Sequence, residues 1–308
     1  MPWPWSARRV EATRRAMTTF VSITVEDRSA ARAEDAVSAA LEEMERLAGL
    51  LTRFDGASPL AVLNTEGRLA DPPPELRAVL ARGLDLHRLS AGAFDPTVAP
   101  LVDLYQVHFA AHGGPPDPAE RREVQELVGA GHVRLDDGGC RLERTGMALT
   151  LDGIAKGYIA DRVAEALAAR GVRHALVNAG GDIRALGTRA SGRPWRVGVQ
   201  DPRRPGAMVA RLALADAAVA TSGDYVRCHD LERCHHHTVV PATGASPEAI
   251  ASVSVSTATA MDADALATAV FVLGRDAGCR LADALPATAC LLVMRDGSQS
   301  ASARWRRV

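Results

Sequence analysis

Between residues 31 and 51 the apolar positions fall three or four apart: Ala36, Val37, Ala40, Leu41, Met44 and Leu47. That period places them on one face of an α-helix, and a helix is predicted there. The same period runs through Ile159, Val163, Ala166 and Leu167, with Asp161, Arg162, Glu165 and Arg170 directed off that face. Gly171 then suits a left-handed helix end. Period two replaces it at Val21, Ile23 and Val25, which alternate with Ser22 and Thr24, so a strand is predicted over 15–27. The stretch 149–187 reads as a short strand, a glycine-bearing turn, an amphipathic helix, a second strand and a turn at Gly180-Gly181-Asp182. Both turns lie at strand ends, where backbone amides and polar side chains can face a ligand.

Elsewhere, residues 54–59 break the first helix and Asn64 is expected in a polar loop after a short helical turn. Pro72, Pro73 and Pro74 launch a helix through Leu76, Val79, Leu80, Leu84 and Leu86. Residues 93–97 form a tight turn before the apolar segment 98–104, and 108–117 is Gly/Pro-rich and reads as loose. A hairpin is expected at 133–135 and 140–142. Residues 195–200, 209–214 and 252–256 read as strands, as do the tail segments 291–294 and 304–308. A loop is expected over 237–244 and a helix over 261–274. Many β pairings with interspersed helices imply an α+β fold of mixed, largely antiparallel sheets. The division expected is a flexible extension over 1–14 and one domain over 15–308.

Composition narrows the function. The chain has 308 residues, 36 basic against 37 acidic, which argues against a general nucleic-acid binder. Aromatics make up only 4%, too few for base-stacking platforms. No apolar run approaches the roughly 20 residues of a transmembrane helix, and the first 20 residues show no uninterrupted apolar signal core. The expected compartment is the cytoplasm as the sequence stands, with a periplasmic or membrane-anchored location if the true start lies upstream. Cys140, Cys228, Cys234, Cys279 and Cys290 are odd in number and scattered, unlike a disulfide framework. Cys228 and Cys234 with His235, His236 and His237 offer soft-metal ligands, but their spacing matches no standard zinc pattern.

Four groups carry candidate chemistry. Asp264 and Thr268 stand four apart on the predicted helix, an all-oxygen pair suited to Mg²⁺ or Ca²⁺; the plainer alternatives are a capping Asp and a Thr bonded back to its own helix. Ile154-Ala155-Lys156-Gly157 offers amides, a helix start and a cation to phosphate oxygens, without the spacing of a Walker loop or dinucleotide fingerprint. Asn178 and Asp182 flank two glycines and could hold a ribose or orient a nucleophile; they are also ordinary turn residues. His237 could serve as a general acid or base, or simply lie on the surface.

In order, these residues resemble the ApbE family of FAD:protein FMN transferases, across nearly the whole chain. The likeness is carried by Ala16, Met17 and Thr19, by Phe54 with Asn64, and by Gly92 to Val98 with Pro100 and Leu101. It continues through Gly153 to Tyr158, Asp161 to Val163, Val177-Asn178 and Gly180 to Arg184. Ala220 to Tyr225, His237 with Pro241, Thr243 and Gly244, and Ala263 to Ala269 complete it. Departures from the family pattern are Thr18 in a glycine position, Val240 in an aspartate position, Ala242 in place of a frequent arginine, and Thr150 where an aspartate is usual two residues before Asp152.

The resemblance implies an ApbE-like fold with a flavin cleft between two subdomains, and transfer of FMN from FAD, with Mg²⁺, to a Thr or Ser of an acceptor flavoprotein as AMP leaves. It implies that Asp264, Thr268 and the Gly153 carbonyl hold the metal. Met17, Phe54, Ala93, Phe94, Asp95, Lys156 and Val239 fall where the family contacts FAD. His237 and Asp182 are the implied helpers in deprotonating the acceptor hydroxyl. Two alternatives stand beside this transfer: an FAD pyrophosphatase giving FMN and AMP at the same metal site, and, from the departures at Val240 and Thr150, a non-catalytic flavin-binding assembly protein.

Overall fold

A computed structural model describes residues 7–225, 230 and 235–306. The chain starts in a hairpin: β1 (Arg8–Ala16) and β2 (Thr19–Asp27) pair antiparallel from Arg8 opposite Asp27 to Ala16 opposite Thr19. The two linking residues, Met17 and Thr18, are left-handed with φ of 51° and 61°, the backbone twist a two-residue hairpin turn needs. The strand expected over 15–27 is thus two strands, and residues 8–14 are paired along their length with β2 rather than forming an extension. The polar sequence of β1, exposed at most of its positions, hid it. Residues 1–6 lie outside the described residues.

Helix α1 (Ala30–Leu51) is capped by Ser29 Oγ, which accepts from the Arg32 amide at 3.2 Å, and buries the periodic face anticipated for it. Asn64 lies inside α2 (Pro59–Glu66), not in a loop. Its amide nitrogen donates to the Leu149 carbonyl at 2.9 Å, and its side-chain oxygen accepts from the Leu149 amide at 2.7 Å. Leu149 is therefore partnered by a side chain and Thr150 by the Pro96 carbonyl, and no strand forms at 149–151.

The short β3 (Arg68–Leu69) precedes α3 (Pro74–Leu89). Helix α4 (Ala99–His112) runs into the segment expected to be loose and stops at left-handed Gly113; α5 (Pro118–Gln125) follows. Strands β4 (Val133–Asp136) and β5 (Gly139–Leu142) form the expected hairpin. Next come α6 (Ala155–Ala169), ended by Gly171 at φ 81°, and β6 (Ala175–Ala179), then β7 (Asp182–Leu186). Strands β8 (Trp195–Gln200), β9 (Met208–Leu214), β10 (Ala218–Gly223) and β11 (Ile250–Thr257) lead to α7 (Ala260–Ala284), which breaks at Gly274. β12 (Ala289–Met294) and β13 (Gln299–Ala301) close the described chain, so the last strand lies earlier than the expected 304–308.

The fold is α+β. An eight-stranded sheet runs β1-β2-β6-β7-β10-β11-β12-β13, beside a three-stranded sheet β3-β5-β4 and a ribbon β8-β9. Every strand pairing among the described residues is antiparallel. Val21, Ile23 and Val25 of β2 share the main core with α1, α6 and α7. The ribbon covers the opposite side, where Trp195, Val197, Leu212 and Leu214 pack with Val219, Leu291 and Trp305. Both faces of β11 are largely covered, so Ser252 and Ser254 are buried too: Ser254 Oγ meets Thr221 Oγ1 at 2.7 Å.

Candidate functional site

The site is built where α6 crosses α7. A Cβ on Gly157 would lie 2.1 Å from the Ala260 carbonyl oxygen, so only glycine allows the two helices to approach this closely. One turn later, Asp161 accepts from the Ala260 and Met261 amides at 2.9 Å each, satisfying the free donors at the start of α7. The helical period had directed Asp161 away from the core; burial at this crossing reverses that. Burial pushes its pKa up, against the pull of those two amides and of Arg184.

These contacts bring five of the expected residues together: Gly153, Lys156, Asp182, Asp264 and Thr268. Gly157 N donates to Asp264 Oδ2 at 3.1 Å, and Lys156 Nζ stands 3.6 Å from the same oxygen while bonding Asp182 Oδ2. Thr268, one turn beyond Asp264, lies over Gly153, whose absent Cβ would sit 3.0 Å from Thr268 Oγ1 and 3.4 Å from the Phe94 ring. Thr268 Oγ1 also lies 3.4 Å from Ser222 Oγ of β10. Asp182 is placed by the Gly180-Gly181 turn, in which Asn178 Oδ1 accepts from the Gly181 amide at 2.8 Å.

The electrostatics follow from two buried carboxylates sharing one ammonium. Burial, reinforced by the neighbouring Asp182 charge, pushes Asp264 up to about 7, with Lys156 and the Gly157 amide pulling the other way. Asp182 is likewise raised by burial despite Lys156. Burial alone would lower the Lys156 pKa, but Asp182, Asp264 and Asp152 hold it above its usual value. The group is short of positive charge.

Other expected residues are placed around or away from this group. Met17 lies at the β1–β2 tip, and Thr19, two residues on, packs against Gly180, where a Cβ would fall 2.5 Å from its methyl carbon. Ala93 and Phe94 are buried; the Phe94 amide donates to Ser90 Oγ at 2.9 Å. The Asp95 carboxylate is engaged by Thr97 N at 2.8 Å, Ala130 N at 3.2 Å and His87 Nδ1 at 3.2 Å, so it organises its own turn. Phe54 follows α1, 65% exposed, with the Arg53 guanidinium 4.6 Å from its ring centre and Arg53 held by Asp103 of α4. Val239 is buried against Leu101 and Tyr105, and His237 lies on the loop beside it, partly exposed. Cys228 and Cys234 lie outside the described residues, and among the described residues no cluster of three or more His, Cys, Asp or Glu could hold a metal.

Comparison with known proteins places this arrangement. The ApbE family model matches residues 17–292. The chain belongs to the ApbE family. A Treponema pallidum relative, named FAD:protein FMN transferase, is 34% identical over 87% of this chain and 80% of its own length. The crystal structure of the ApbE protein of Thermotoga maritima superposes with a TM-score of 0.88 at 29% identity, covering 96% of this chain and 97% of that one. The flavin transferase ApbE of Vibrio cholerae superposes at 0.84, with 26% identity over 96% of this chain and 98% of its own. Thr18 is left-handed at φ 61°, a conformation that glycine adopts without a Cβ penalty.

Two residues, Asp161 and Ser222, were missed from the sequence as parts of the site, while Gly157 and Asn178 were expected beside a ligand but not in these roles. Asp161 and Gly157 fix the helix crossing, and Ser222 and Asn178 flank Thr268 and Asp182. The only available signal was the Gly-x-x-x-Asp spacing at the start of α6, which two residues alone do not make specific.

Proposed function

We propose that this chain transfers the FMN half of FAD to a Thr or Ser hydroxyl of an acceptor flavoprotein, releasing AMP. The carrying observation is the group formed by Lys156, the buried Asp182 and Asp264, and Thr268 at Gly153, in a chain of the ApbE family. The donor set fits Mg²⁺: Asp264, Thr268 and the Gly153 carbonyl offer hard oxygens, and the paired carboxylates exceed the positive charge beside them. When bound there, the cation would supply positive charge against the FAD diphosphate and ease charge build-up on the departing phosphate.

The chain's own residues supply the rest. Lys156 draws diphosphate oxygens to the start of α6, and the Phe94 ring walls the Gly153 side. Met17, Phe54, Ala93 and Val239 bind and orient the flavin nucleotide, with Asp95 fixing the turn that presents Phe94. The acceptor hydroxyl oxygen bonds to the FMN phosphorus, the bond from that phosphorus to the bridging oxygen breaks, and the bridging oxygen leaves with AMP. The hydroxyl proton passes to His237 or Asp182.

The test mixes the protein with FAD, Mg²⁺ and an acceptor flavoprotein domain. Flavin fluorescence on the acceptor band together with released AMP is expected, and Asp264→Ala abolishes both while the far-UV spectrum is retained. Free FMN without labelled acceptor would instead establish hydrolysis, and intact bound FAD a binding protein. Wild-type transfer by Asp264→Ala would overturn the metal assignment.

A further inference from the structure

We propose that His236, which the ApbE pattern does not single out, is a positioning residue that locks the His237 loop onto the α7 face carrying Asp264 and Thr268. The proposal rests on the transferase reading above. His236 is completely buried, and its ring meets Phe271 edge-on, with centroids 5.4 Å apart and planes at 86°. Phe271 follows Asp264 by seven residues and Thr268 by three, so all three share one face of α7.

Each polar contact of His236 constrains the loop. Nε2 stands 3.1 Å from the Pro247 carbonyl oxygen, which can only accept, so the proton resides on Nε2. The His236 amide donates to Ser246 Oγ at 3.2 Å, and Ser246 Oγ donates back to the His236 carbonyl at 3.2 Å. That reciprocal pair closes the base of the loop, while Val240 N to Ala245 O and Gly244 N to Val240 O, both 2.7 Å, close its tip. Val239 pins the other side against Leu101 and Tyr105. His237 is therefore bracketed: one neighbour is fixed to α7 and the residue two further on is fixed to α4.

A purely space-filling role is a poorer account. His236 Nδ1 is buried with no hydrogen-bond partner among the described residues, an expense that phenylalanine of similar shape would avoid. What the imidazole adds over phenylalanine is the bond to Pro247, which fixes ring rotation. Burial holds its pKa below the usual histidine value, so the ring stays neutral and that bond persists.

The test compares His236→Phe, His236→Gln and Ser246→Ala, each alone and with His237→Ala, in the full chain with FAD, Mg²⁺ and acceptor. His236→Phe should lower kcat for transfer about tenfold or more with KM for FAD nearly unchanged, since misplacing a catalytic group by about 1 Å has that effect. His236→Gln, which restores an N–H toward Pro247, should recover part of the loss. Combined with His237→Ala, neither change should reduce transfer further, because both act through the same group. Undiminished kcat in His236→Phe, or an equal further loss on the His237→Ala background, overturns the proposal. Should His236→Phe melt below the assay temperature, Ser246→Ala decides by the same criteria. Wild-type transfer by His237→Ala would remove the role of His237 and this proposal with it, whereas loss there with unchanged His236 variants overturns the proposal alone.

Discussion

Replacing Gly157 by alanine tests the central architectural claim. The new Cβ would fall 2.1 Å from the Ala260 oxygen, 2.5 Å from its carbonyl carbon and 2.8 Å from Met261 Cα, all backbone atoms. Such contacts do not occur below 3.0 Å, so α6 and α7 must part by about 1 Å. Overpacking of this kind costs about 1–3 kcal/mol. The better helix propensity of alanine returns about 1 kcal/mol. A net loss of up to about 2 kcal/mol lowers Tm by up to about 8 °C in a chain of this size. Activity should suffer more, because the same displacement stretches the 3.1 Å bond from Gly157 N to Asp264 and moves Asp264 relative to Lys156; a fall in transfer of about tenfold or more is expected. Thermal melting and the transfer assay measure the two effects. Gly49→Ala, at an exposed position of helix α1 with nothing within 4 Å, serves as the control, gaining up to about 1 kcal/mol. If Gly157→Ala melts and transfers like the wild type, the close crossing is not what holds the site.

Three further outcomes follow from the same geometry. Asp161→Ala strands the Ala260 and Met261 amides and leaves Arg184 without its carboxylate; urea unfolding should show a loss of about 2 kcal/mol. The His87 pKa is raised, chiefly by its bond to Asp95, so the pair contributes stability that is complete below the unfolded value near 6.5 and fades as pH rises through the higher folded value. The Tm gap between wild type and His87→Gln should accordingly be wide at pH 5.5 and narrow at pH 9. Thr18→Gly removes a Cβ from a left-handed position and should raise Tm by the equivalent of up to about 1 kcal/mol, the lost hydroxyl bond to the Met17 carbonyl reducing the gain.

The sequence was most readable where one face of an element meets the core and the other meets water. α1 kept its period, and β8 alternates buried with exposed along its length. The Asp264–Thr268 pair was legible because helical spacing alone puts both on one face. Legibility failed where partners come from far along the chain. Nothing local in Leu149 says that Asn64, 85 positions earlier, supplies its hydrogen bonds. Asp161 looked like a solvated charge because its ligands are amides 99 and 100 positions away. β1 stayed hidden because an edge strand with one open side needs few apolar residues.

The scarcity of positive charge around Asp182 and Asp264 has a thermodynamic corollary. A fold that holds two desolvated acids against a single amine forgoes some of its own robustness whenever no ligand is present. Exchanging Asp264 for a neutral residue of similar shape would make the empty protein sturdier while removing the carboxylate proposed above to hold the cation. Selection for heat tolerance and selection for turnover therefore pull this spot in opposite directions.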